Sequence, residues 1–356
     1  MYCFFFLILS NTLFAQDLEI DQLVNDQIDN HSIPGIAVGV VKDGNVILSK
    51  GYGYSDVENK TKANEHTIYQ IGSVTKMFTG HLLSILIEKQ ILSPSDTLSD
   101  FFPDDLNFPK SPSGQVVTIK DIATHSSEFP RYPSNLERID PDPIQGYSIE
   151  QMLEGIELVS IKNKIGGHYS YSNFGYGILG IAMEYRMNKP LSELLDEHIF
   201  SAYHMNHSSL FFRESLHDNL ATPYLEVSPL KKTEPWDMGT LAGAGNIFSS
   251  VSDLNQFMIH LLKESKTNDI QMKKRLSINE TWSYGLGCFV IDSSKWDTQI
   301  IYHGGDIDGY ASYLALYPEF DLGIVILTNW GEGQRVGEAF SEISDAVANH
   351  FLNPID

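Results

Sequence analysis

Apolar positions along this chain repeat with two different periods, and the change from one to the other outlines a fold. Residues 17–30 (DLEIDQLVNDQIDN) place Leu18, Ile20, Leu23, Val24 and Ile28 on one face of a helix. Two strand-like runs follow, GIAVGVV (35–41) and NVILSKGYG (45–53), and the Asp43-Gly44 pair between them predicts a β-hairpin. Near the other end, SYGLGCFVID (283–292), TQIIYHGG (298–305), ASYLALYP (311–318) and LGIVILTN (322–329) read as four more strands. The last two meet at Pro318-Glu319-Phe320-Asp321, a plausible turn. A terminal helix is expected over 333–350. Between about 73 and 265 the pattern is mostly helical, with proline-rich loops near 103–113 and 130–144. The expected fold is therefore mixed α/β (α+β): an antiparallel sheet built from both ends of the chain and flanked by helices. Its sheet lobe spans about 16–72 and 275–356, and a mostly helical lobe, about 73–274, is inserted between them, so the two lobes form one unit rather than two independent domains.

Composition narrows the class. Over 356 residues, 42% hydrophobic and 20% charged suits an ordinary folded protein rather than a collagen, a coiled coil or a disordered chain. Acidic residues outnumber basic ones by 46 to 24, a formal charge of −22, which should repel phosphate backbones and argues against nucleic-acid partners. Two cysteines, Cys3 and Cys288, are too few for a four-cysteine zinc site or a disulfide framework. Residues 1–15 carry no charge and are mostly apolar up to Ala15-Gln16, which reads as a short signal peptide although no Lys or Arg precedes it. A periplasmic or extracellular location is then expected, with membrane contact only through this segment if it stays uncleaved.

Candidate chemistry begins at Ser73, where IGSVTKMFTGHLLSILIEKQIL opens a helix apolar on most sides. Its polar exceptions, Ser73 and Lys76, share one face of the first turn. A hydroxyl becomes a useful nucleophile when a base takes its proton, and lysine is such a base once burial lowers its pKa. Free N–H groups at the same helix start would face a developing oxyanion. An N-cap serine beside a snorkelling lysine is the plainer alternative. Ser-x-x-Lys occurs once more, at Ser228–Lys231, in a polar proline-containing stretch that reads as surface loop. Tyr171-Ser172-Asn173 precedes an apolar helical run; a phenol near a lysine ammonium can work as phenolate, and the amide can hold both lysine and substrate carbonyl. His303-Gly304-Gly305-Asp306 ends a strand, where the glycines would let substrate lie against the backbone; a plain strand end with an exposed imidazole is the alternative.

Together, SVTK, YSN and HGG, in that order, resemble the serine β-lactamase and penicillin-binding-protein superfamily, most closely its class C-like branch with DD-peptidases and esterases. TIKDIATHSSEFP, AGAGNIFSSVSDLNQFM and LGIVILTNW resemble further segments of that family, so the likeness runs from about Leu18 to Phe351. It implies that Ser73 is the nucleophile, Lys76 its activating partner and Tyr171 the general base and acid. It places Asn173 against Lys76 and substrate, His303 at the strand-motif position, and the N–H groups of Ser73 and Asp306 in an oxyanion hole beside Gly305. Acylation and hydrolysis of Ser73 are implied, with no metal or cofactor. Two departures matter. His303 stands where β-lactamases and DD-peptidases of the family carry a lysine that helps hold a substrate carboxylate, and Glu128 stands where many relatives have glycine. An esterase-like hydrolase of a small-molecule or peptide substrate is therefore expected. D-Ala-D-Ala carboxypeptidase, D-aminopeptidase or β-lactamase activity is the alternative, and a non-catalytic binder or sensor the second.

Rival motifs are weak. Gly175–Gly180 matches the dinucleotide glycine pattern but follows a polar segment rather than a strand. Gly-x-Ser-x-Gly and His-Glu-x-x-His are absent, and His204 with His207 lacks a third ligand.

Overall fold

A computed structural model describes residues 19–137, 144–267, 269–331 and 333–352. The segment read as a signal peptide, with Cys3, lies outside them. Helix α1 covers 19–31. Strands β1 (Gly35–Lys42) and β2 (Asn45–Asp56) form the expected hairpin, with Asp43 and Gly44 both at positive φ as a two-residue I′ turn requires. After β3 (Thr61–Lys62) and β4 (Tyr69–Gln70) comes helix α2 (Thr75–Glu88). The middle holds α3 (Ile119–Ala123), α4 (Ile149–Glu157), α5 (Asn173–Met187) and α6 (Leu191–Leu195), then β5 (Tyr224–Val227), β6 (Leu230–Lys232), β7 (Phe248–Ser249) and α7 (Val251–Ser265). The chain returns through β8 (Leu276–Ser277), β9 (Trp282–Tyr284), β10 (Phe289–Ser293), β11 (Thr298–Ile307), β12 (Tyr310–Tyr317), β13 (Leu322–Thr328) and α8 (Gly333–Phe351).

Nine strands make one antiparallel sheet in the order β3-β2-β1-β13-β12-β11-β10-β9-β8, so the two ends of the chain meet where β1 pairs with β13. The central strands are buried on both faces, which is why they read as unbroken apolar runs. Ala37, Val41, Leu314, Val325 and Leu327 join the core under α2, α5 and α7, while Ile36, Val38, Val40, Ile324 and Ile326 pack beneath α8.

One expectation needs correction. The 283–292 run is two strands rather than one, because α2 crosses it: a side chain on Gly287, at φ +78°, would strike the carbonyl of Lys76. The middle segment, expected to be mostly helical, also carries short strands: β7 pairs with β4, and β5 with β6. Ser228 and Lys231 lie exposed on that second hairpin. Gly175–Gly180 lies inside α5, where Gly177 makes room for Leu241. Among the described residues no helix is long and apolar enough to cross a membrane, and no three His, Cys, Asp or Glu side chains gather as a metal site. Cys288 is a buried free thiol.

Candidate active site

Ser73 does not open the α-helix itself. It sits in a 3-10 turn, Gly72–Val74, that leads into α2. Gly72 adopts φ +50° there, a conformation that favours glycine. Nearly all of α2 is buried, including Lys76, as its all-round apolar pattern demanded. Lys76 Nζ lies 3.2 Å from Ser73 Oγ, and donates to Asn173 Oδ1 at 2.8 Å and to the Ala244 carbonyl at 2.7 Å. Asn173 reaches it from the first turn of α5, whose N-cap Ser172 accepts from Gly175 N. Tyr171, just before that cap, donates its phenol to Ser73 Oγ at 2.7 Å.

Strand β11 closes the other side. A Cβ on Gly305 would collide with the Ile71 carbonyl and Ser312 Oγ and lie 3.0 Å from Ser73 N; one on Gly72 would lie 3.1 Å from Asp306 N. Gly72 and Gly305 thus let the Ser73 turn and the Gly305–Asp306 backbone of β11 approach closely, at the place where the resemblance implies an oxyanion hole. The opening above them is a cleft of about 440 Å³, whose walls include Arg131, Tyr169, Tyr171, Phe289, Tyr302 and Asp306. A cavity of about 510 Å³ elsewhere, lined by Lys189, Phe200, Phe211 and Arg213, contains none of these groups, so chemistry rather than size singles out the smaller cleft.

Protonation states follow from burial. Desolvation, with a smaller push from Arg131, holds Lys76 well below the usual lysine range. Burial raises Tyr171 above the ordinary phenol, although Ser73 and Arg131 pull the other way. His303 is 2% exposed rather than the accessible imidazole of the plainer alternative. Desolvation and then Lys76 depress it to about 3, so it is neutral. Its Nδ1 donates to the Gly304 carbonyl at 2.7 Å, leaving Nε2 to accept from Tyr284 OH at 3.2 Å. Asp306 reaches solvent, yet surrounding protein and then Asp308 push its carboxyl up to about 6. Glu128 points away from the cleft lining: it occupies φ +67°, and lies 2.7 Å from Asn163 Nδ2 and 2.8 Å from His168 Nε2. The positive φ accounts for glycine being suited to that position.

Two residues emerge that sequence reasoning did not single out. His125 is buried against Tyr171, Tyr176 and Tyr284, its carbonyl accepts from Ser170 N at 2.7 Å, and its Nδ1 accepts from Ser172 N at 3.0 Å. It therefore grips the backbone on both sides of Tyr171. Arg131 lies over the Tyr171 ring, 5.3 Å from its centre. The signal for His125 was available within the THSSEFP segment; nothing local marked Arg131.

The family model described as Beta-lactamase matches residues 20–348. Protein flp of Staphylococcus aureus (strain N315) is 25% identical over 343 residues, which cover 93% of this chain and 66% of the relative, so the chain spans about two thirds of that protein's length. Among solved structures, the octameric penicillin-binding protein homologue from Pyrococcus abyssi superposes with a TM-score of 0.80 at 23% identity, covering 93% of this chain and 76% of that one. The β-lactamase/D-alanine carboxypeptidase from Yersinia pestis, complexed with citrate, gives 0.79 at 18% identity, covering 93% and 99%. Taken with the fold, the match to most of the chain shows that this protein belongs to the Beta-lactamase family, in the superfamily of serine β-lactamases and penicillin-binding proteins.

Proposed function

We propose that the protein is a serine hydrolase that works through a covalent acyl-enzyme on Ser73, with esters as its first substrate class. The observation that supports this reading is the contact pair on Ser73 Oγ: Tyr171 OH at 2.7 Å and Lys76 Nζ at 3.2 Å, at the floor of a cleft. A neutral lysine amine has two hydrogens and one lone pair. Asn173 Oδ1 and the Ala244 carbonyl take the hydrogens, which leaves the lone pair for the Ser73 hydroxyl. We therefore assign the first proton to Lys76 rather than to a Tyr171 phenolate, because burial favours the neutral form of both groups.

Attack then proceeds with a balanced transfer. The Ser73 proton moves to Lys76, Oγ bonds to the substrate carbonyl carbon, and the oxyanion is held by the Ser73 and Asp306 N–H groups. Collapse expels the leaving group, which takes the Tyr171 phenol proton, and Lys76 returns its proton to the phenolate. Water repeats the sequence on the acyl-enzyme, releasing acid and free Ser73. His303, neutral and buried, supplies no cation on β11, which favours esters over β-lactams or peptides ending in a carboxylate. D-Ala-D-Ala carboxypeptidase, D-aminopeptidase or β-lactamase activity is the alternative.

Turnover of p-nitrophenyl butyrate and nitrocefin, by wild type and by Ser73→Ala, tests the reading. Ester hydrolysis should fall at least about 10³-fold in the variant. Unchanged hydrolysis in Ser73→Ala would refute the assignment, and nitrocefin turnover outpacing the ester would favour the β-lactamase alternative.

A further inference from the structure

A hollow of about 350 Å³ lies outside the cleft and shares none of the residues that line it. Its walls are aromatic and acidic at once. Phe211, Phe212, Trp236 and Phe248 line it together with Glu234 and Asp237, and no lysine or arginine does. Phe211 and Phe212 are 40% and 37% exposed, and the Phe212 ring centre lies 5.6 Å from that of buried Phe248. The walls are held from behind by two buried amides. Gln70 of β4 donates to the Trp236 carbonyl at 2.8 Å and accepts from Trp236 N at 3.0 Å. Asn246 accepts from Gln70 at 3.2 Å and donates to the Leu210 carbonyl at 2.8 Å. The segments carrying Phe211 and Trp236 are thereby tied together, so the hollow is formed before any ligand arrives. Two polar groups on its walls stand unused. Nearby acids meet cations, Glu226 with Lys231 at 3.6 Å and Glu58 with Lys232, but Glu234 is in none of the described ion pairs. Trp236 Nε1 is buried with no acceptor among the described residues, where an indole N–H ordinarily has one.

We propose that this hollow is a binding site for a small organic cation, an alkylated ammonium with a hydroxyl or carbonyl oxygen beside it. Aromatic faces carry partial negative charge and attract an ammonium, more strongly where it is shielded from water. Carboxylates on the same wall add to that attraction and oppose an anion. A neutral apolar ligand would gain from the rings but nothing from Glu234 and Asp237. An alkylated ammonium presents methyl groups to the rings and its charge to the acids, so it matches both halves of the wall. The oxygen beside it supplies the acceptor that Trp236 Nε1 lacks. The chain's charge of −22 draws cations of every kind, and the aromatic wall selects an organic one. Nothing in this site depends on Ser73 or on hydrolysis.

Choline and 3,3-dimethylbutan-1-ol test this, because they share a shape and a hydroxyl and differ by one positive charge. Each is titrated into the protein while the indole N–H signals are followed by NMR, with sodium chloride holding the ionic strength constant. Choline should move the Trp236 signal, identified by its loss in Trp236→Phe, in a saturable way. It should also bind at least about fivefold more tightly than the alcohol. Glu234→Gln should weaken choline about threefold or more and leave the alcohol unchanged. Phe212→Leu keeps apolar bulk but removes a ring face, so it should weaken choline more than the alcohol. Equal affinity for the two ligands would overturn the proposal and leave the hollow as an apolar recess. Choline binding that ignores both substitutions would overturn it too, as would the absence of a saturable change at the Trp236 signal. The comparison of the two ligands on the wild-type protein decides the matter even if a variant fails to fold.

Discussion

Lys76 is held where its charged form is disfavoured, and the surrounding side chains use that. A buried ammonium with two carbonyl-type acceptors and no carboxylate partner gives up its proton well below the usual lysine range. Tyr171 must then sit within reach of Ser73, and His125 is the residue that places it. Ser170 N and Ser172 N both donate to His125, through its carbonyl and its ring, so the tyrosine between them has little freedom. His125→Asn is expected to lower kcat about 10–100-fold through misplacement of Tyr171, while KM shifts far less. Steady-state kinetics alongside a melting curve checks this; an unchanged kcat, or a loss that only tracks unfolding, would contradict it. At this scale the motif residues were visible as Ser73, Lys76, Tyr171 and Asn173, but their partners were not. Arg131 and His125 matter through contacts with Tyr171, which lies some forty residues along, and no local pattern records such a contact.

Helix α2 carries Lys76 at one end and, further along, another buried histidine. His81 bonds to Gln271 and to Tyr203 OH, and burial depresses it to about 4, with His260 adding to that and Gln271 opposing. The folded value lies below the ordinary 6.5, so the unfolded chain binds the extra proton. Stability from neutral His81 is complete above about pH 6.5 and drains away as pH falls toward 4. One such proton corresponds to a slope of about 1.4 kcal/mol per pH unit. Denaturant unfolding of His81→Gln between pH 6.5 and 4.5 should therefore show a slope shallower than wild type by up to that amount; parallel slopes would contradict the assignment. Elements themselves were unevenly legible. The Asp43-Gly44 hairpin is a local instruction and could be read directly. The break between β9 and β10 answers to the backbone of α2 pressing on Gly287, a contact between distant parts of the chain. The short strands β4 to β7 are too brief to show any period.

Across the whole molecule, the site exists because one sheet is made from both ends of the chain. β11 reaches the Ser73 turn through Gly305, and β11 is held in register by β12 and β13, which pairs with β1. The antiparallel sheet was expected, because its central strands are apolar throughout and its turns carry their own signals. The charge distribution was legible only as a total of −22, which does not reveal that an unpaired arginine stands inside the cleft. This architecture is proposed to make one serine, Ser73, nucleophilic. The most direct measurement is reaction of the folded protein with a fluorophosphonate probe, followed by mass spectrometry of the digested chain. A single phosphonyl adduct on the peptide holding Ser73, close to one per chain and lost in a folded Ser73→Ala variant, is the predicted result. An unlabelled protein, or a label on another residue that persists in Ser73→Ala, would contradict the account.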